Sequence, residues 1–158
     1  MTPLAICLLQ WDVYNTRMEK VLQTISNENY NMAILLGGNS PSWLMGHLAD
    51  TDDKLLELFG IRKRLFPELS TIYHHERGKN QTGLLSKEEV LEKWRLISAA
   101  LNQAFKTWDE KEWLSKHMAV SEEDFKKEPH RNRLNVMLSR VTHKASHLGQ
   151  IAMQSGKE

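Results

Sequence analysis

The stretch Arg140-Val-Thr-His-Lys-Ala-Ser-His-Leu-Gly-Gln150 carries two histidines, His143 and His147, four residues apart in a segment that reads as helix. At about 100° and 1.5 Å per residue, this spacing offsets the side chains by about 40° and 6 Å, so both rings share one face and can converge on one metal ion. Two imidazoles leave such an ion short of ligands. A third must come from a distant part of the chain.

The helix bearing this pair is predicted to open at Pro129 and to reach about Gln154. Its larger apolar stripe, Leu134, Leu138, Val141, Ala145, Leu148 and Ala152, centres about 140° from the histidines on a helical wheel. One simple core cannot satisfy both faces. Either the helix is central and widely buried, with Val136 and Ile151 joining the histidine side, or its leucine stripe packs against a second subunit.

Three more helices follow from periodicity and capping. Leu4, Cys7, Leu8, Trp11, Tyr14, Asn15, Met18, Val21, Leu22 and Ile25 recur at three- and four-residue steps and predict a helix over about Pro3 to Ser26. Asparagines and paired glycines in 27–39 favour a connection, with Leu35-Leu36 folding back onto the core. Ser40 as N-cap and Pro41 at the first helical position start a second helix running to about Gly60. That helix lines up Leu44, His47, Leu48, Thr51, Leu55 and Leu58, with Asp52, Asp53 and Glu57 mostly outside the stripe. Ser86-Lys-Glu-Glu89 has capping-box spacing ahead of Val90, Leu91, Trp94, Ile97, Leu101 and Phe105. Residues 61–85 read as a long loop with one short helical turn, and 108–128 as irregular structure with another. No repeat and no period-two strand pattern persists, so the expected architecture is all-α, one domain over 1–158, built on four long helices.

Composition narrows the function classes. With 158 residues, 41% of them apolar, the chain can bury a core without staples. Lys plus Arg total 21 and Asp plus Glu 20, a net charge of +1 that gives no pull toward nucleic acid or an anionic membrane. The single cysteine, Cys7, excludes an internal disulfide and any thiolate cluster within one chain, and it sits in an apolar stripe where packing is its expected role. The amino-terminal run lacks a basic leader and is too short to span a bilayer, so a soluble, cytoplasmic protein is expected.

Neutral imidazoles bind Zn, Ni, Cu or Fe, and three of them leave at least one position for water or substrate, as in catalytic rather than structural sites. A zinc-protease reading fails because Lys144, not glutamate, follows His143. His47 lies on the apolar side of the second helix, where a core histidine satisfied by a neighbouring hydroxyl or carbonyl is as good a reading as a ligand. Asp50, one turn on, is either an acceptor that orients a ligand ring or a solvated carboxylate. Gln150 either reaches toward the open position of an ion or lies on the surface. Trp43 reads as core, His74-His75 beside Glu76 as a weak alternative metal pair, and Arg62-Lys-Arg64 as a solvated helix end.

The run Asn39-Ser-Pro-Ser-Trp-Leu-Met-Gly-His47-Leu-Ala-Asp, followed 96 residues after its histidine by His143-Lys-Ala-Ser-His147-Leu-Gly-Gln, resembles the DinB-like (DinB/YfiT) superfamily. Its pattern is Trp-x-x-x-His on the second helix and His-x-x-x-His-x-Gly-Gln on the fourth, and the likeness extends to Trp11-Asp-Val-Tyr-Asn15. The resemblance implies a four-helix bundle with a long crossover connection, usually a homodimer. It also implies a divalent ion on His47, His143 and His147, with Zn or Ni ahead of Fe, Mn or Cu. Similar proteins include transferases and isomerases that use a low-molecular-weight thiol, and proposed hydrolases. The expectation is therefore a metal-dependent thiol S-transferase or hydrolase acting on a small molecule. Its alternative is a non-catalytic, stress-linked metal-binding or interaction protein.

Overall fold

The computed structural model describes residues 1–36, 38–73 and 83–155. Among them eight helices follow in order: α1 (Pro3–Thr24), α2 (Asn27–Asn31), α3 (Pro41–Leu58), α4 (Leu69–Ile72), α5 (Lys87–Phe105), α6 (Glu110–Trp113), α7 (Glu122–Lys127) and α8 (Arg133–Ser155). The four long ones form a closed ring of contacts, α1 on α8 and α5, and α3 on α5 and α8. Within the described residues no strand forms, and no helix is long and apolar enough to cross a membrane.

Helix starts follow the capping chemistry of the sequence. Thr2 accepts the Ala5 N–H ahead of α1, and Ser40 accepts the Trp43 N–H ahead of α3. Ser86 and Glu89 close a reciprocal capping box on α5. Gly60, at φ 71°, takes the left-handed turn that stops α3. The last helix starts later than Pro129: Asn132 accepts the Asn135 N–H through its Oδ1, a stronger start than a proline in a turn, and α8 begins at Arg133. The two connections predicted to hold short turns do so, as α4 in one and α6 and α7 in the other. The 27–39 connection holds the single short helix α2.

Helix α3 is the centre of the molecule, buried on every face from Pro41 to Asp53. This corrects the expectation that Asp52 and Asp53 lie outside its packed stripe; both are fully buried. Charges survive there only when paired or hydrogen-bonded, and each has its own partners. Asp53 accepts the backbone N–H groups of Leu65 and Phe66 at 2.8 and 3.0 Å and faces Arg64 Nε at 3.0 Å. Asp50 accepts from Arg64 Nη2 at 2.6 Å, from Lys54 Nζ at 2.6 Å and from the Ser70 hydroxyl at 2.8 Å. Arg64 is thus no solvated helix end; it draws the segment after α3 back over α3, while Arg62 and Lys63 remain exposed.

Asp52 meets Lys144 of α8 at 2.7 Å, with both side chains out of solvent. Lys144 Nζ also donates to Asn15 Oδ1 of α1 at 2.6 Å and stands 3.3 Å from the Trp11 ring centroid and 5.1 Å from that of Trp94. One ammonium therefore joins all four long helices. Burial pushes the Lys144 amine down to about 8 and the Asp52 carboxyl up. The packed line of α8 is Met137, Val141, Lys144, Ile151 and Gln154, flanked by half-buried Leu134, Val136, Leu138 and Leu148 against the core. Of the two arrangements open for this helix, wide burial accounts for most of the leucine stripe.

Removing one partner of such a pair strands a charge. Lys144→Met is expected to lower unfolding free energy in urea by about 3–5 kcal/mol, and Lys144→Met with Asp52→Leu to recover most of it, because a well-packed apolar pair replaces a buried ion pair at little cost. A single variant as stable as the parent contradicts this role.

Candidate metal centre

The three histidines picked out in the sequence meet at the contact of α3 with α8. His47 Nε2 lies 3.3 Å from His143 Nε2, which lies 2.9 Å from His147 Nε2. All three ligand atoms fall within 4.8 Å of one another, with His47 buried and the other two half-buried. The helical spacing of four does what the geometry of α8 requires, and α3 supplies the third ring across the interface.

Two of the rings are held from behind. Trp43, one turn before His47 on the same helix, is buried and stacks on its imidazole with centroids 4.9 Å apart and planes 11° from parallel. Trp43 is therefore core, as expected, and it also fixes a ring. Gln150 lies on the exposed side of α8, where its Oε1 is 2.9 Å from His147 Nδ1. An amide oxygen only accepts, so Nδ1 carries the proton and the Nε2 lone pair points to the cluster. The Gln150 side chain is thus engaged on His147 rather than projecting past it. Asp50 orients neither by way of a solvated carboxylate nor from a free oxygen: both of its oxygens are bound by Lys54, Arg64 and Ser70. Burial raises its pKa, but hydrogen bonds from Lys54, Ser70 and Arg64 outweigh that and hold the carboxyl below its ordinary value.

The donor set fits a divalent cation. Metal–nitrogen bonds of about 2.0–2.1 Å place two nitrogens about 3.4 Å apart on a tetrahedral ion, and about 3 Å apart on an octahedral one. The His47–His143 and His143–His147 separations, 3.3 and 2.9 Å, span that range. Imidazoles bind such an ion through a deprotonated nitrogen, and three protein ligands leave a position for a small molecule.

A cleft of about 270 Å³ adjoins the cluster, lined by Ile34, Leu35, Gly38, Asn39, Leu44, His147, Gln150 and Met153. Leu35 and Leu36 do not fold back onto the core: Leu35 is 65% exposed and Leu36 fully so, because Ile34 takes the buried place in that turn. Cys7 is half-buried and packs against the core, as its stripe predicts. The His74-His75-Glu76 alternative lies outside the described residues.

Two supports were not foreseen in the sequence. Lys144 after His143 excludes a protease motif, and the same lysine anchors the helix one position from His143. Gly46 lets the Tyr73 ring lie flat on α3 beside His47, where an added Cβ would sit 1.9 Å from the Tyr73 Cζ. An isolated glycine inside a helical pattern was the available signal for such a close approach.

The family model for the DinB superfamily matches residues 10–151, a span that takes in all three histidines. No curated protein matched the chain significantly. The matched span covers far more than half of the sequence, and the chain belongs to the DinB superfamily.

Proposed function

We propose that this protein is a metal-dependent enzyme acting on a small molecule, a thiol-dependent S-transferase or a hydrolase, with His47, His143 and His147 as its metal ligands. The observation that carries this reading is the convergence of three Nε2 atoms beside an open cleft. A divalent ion, Zn or Ni ahead of Fe, Mn or Cu, supplies a Lewis acid that lowers the pKa of a thiol or water placed on it. The chain's own part is positional. Trp43 and Gln150 set two of the rings, and the cleft beside His147 leaves room for a small molecule.

The reading includes a cytoplasmic location, supported by the lone cysteine and checked by cell fractionation. It also includes a homodimer. On the outer side of α1, Ile6 and Leu9 are about half exposed, and Ala145, Leu148, Gly149 and Ala152 of α8 meet Tyr14, Arg17, Lys20 and Val21 in an open groove. Light scattering at micromolar concentration is expected to give twice the chain mass of 18.3 kDa; a monomer contradicts the dimer.

The metal assignment is tested by content and by exchange. Wild-type protein is expected to bind about one ion per chain, and His143→Ala to lose more than about 100-fold in affinity, beyond the 10–100-fold cost of losing a ring's supporting hydrogen bond. Adding azide or a thiol to the cobalt-substituted protein should change its visible spectrum. Retained cobalt with no spectral response is the result expected of a closed, non-catalytic binding site and contradicts the enzyme reading.

A further inference from the structure

The cleft beside His147 is lined by the polar side chains of His147, Gln150 and Asn39 and by the aliphatic ones of Ile34, Leu35, Leu44 and Met153, with His147 and Gln150 hydrogen-bonded to each other. Apart from the His147 imidazole, none of the residues lining it is acidic or basic. Ligands with several charges, such as nucleotides, are held by charged side chains or by clustered backbone donors, and a wall of leucine, isoleucine and methionine discriminates against them. Leu44 is buried at the base, while Leu35 and Met153 are 65% and 59% exposed and stand in water at the mouth. Apolar side chains beside polar ones gain by covering one another with a ligand that is itself amphiphilic.

We propose that this cleft binds the linear aliphatic body of a small molecule whose thiol or hydroxyl head lies at His147 and Gln150. The substrate class is therefore an uncharged-tailed thiol, alcohol or a conjugate of one. The proposal rests on the metal reading for the role of the head but not for the seat of the tail. At about 30 Å³ for each atom of water size, a volume of about 270 Å³ holds about nine non-hydrogen atoms. Octanol and octanethiol have that size.

The test is a chain-length series in two arms. In the metal-free full-length protein, binding of butanol through decanol is followed by NMR on the Leu44 and Met153 methyl groups. Affinity is expected to rise about fourfold per methylene and to level off near octanol. In the cobalt-loaded protein, butanethiol through decanethiol should give the same dependence in the titration of the visible spectrum. Leu35→Asp and Met153→Glu, both at exposed positions and so compatible with folding, should flatten the dependence in both arms while leaving cobalt uptake unchanged. An alcohol series without chain-length dependence overturns the proposal and leaves the three-imidazole reading standing. A steep series that neither variant alters also overturns it, because the tail then lies elsewhere. A steep, variant-sensitive alcohol series in protein that takes up no cobalt supports the cleft and overturns the metal reading instead.

Discussion

Three imidazole nitrogens directed at one point are the constraint around which this molecule is arranged. Their separations of 2.9 and 3.3 Å require α3 and α8 to be held in one register, since a small slip of either helix would part the rings. Much of that holding lies one residue from His143, where Lys144 reaches Asp52 on α3, Asn15 and Trp11 on α1 and Trp94 on α5. A buried ion pair adds little net stability over apolar packing, but its directional partners admit one register of the helices. Close packing of Tyr73 over Gly46 and the stack of Trp43 on His47 fix the other side.

The acidic residues of α3 bear on the chemistry by being occupied elsewhere. Asp50 and Asp53 are committed to Arg64 and to the backbone of the segment that leaves the helix, and Asp52 to Lys144. Carboxylates within one turn of His47 are thereby held to structural tasks, and the cluster is made of imidazole nitrogens alone. An all-imidazole set leaves the full charge of a divalent cation to act on whatever fills the remaining position, which favours acidifying a weakly acidic ligand.

Sequence patterns made most of the fold legible where a local rule decides the outcome. Ser40-Pro41 and Ser86-Lys-Glu-Glu89 placed two helix starts, and the four-residue spacing of His143 and His147 placed both rings on one face. Errors arose where tertiary contacts decide. The wheel of α3 put Asp52 and Asp53 outside because it scores carboxylates as polar, whereas partners far along the chain bury them. Leu35-Leu36 scored as core because hydrophobicity does not tell which residue of an apolar run a turn will point inward. Pro129 looked like a helix start until Asn132 supplied a better cap. His47 was the hardest residue to place from its own surroundings, and only its 96-residue partner spacing, read as a family pattern, set it apart from a core histidine.

X-ray absorption at the edge of the bound ion, on protein loaded with zinc or nickel, addresses the central claim most directly. Three imidazole nitrogens at about 2.0–2.1 Å are expected in the nearest shell, with the ring scattering of all three and at least one lighter-atom ligand that an added thiol replaces with sulfur. A shell that holds only one imidazole, or none, would contradict that claim, because the ion would then lie away from the point that His47, His143 and His147 share.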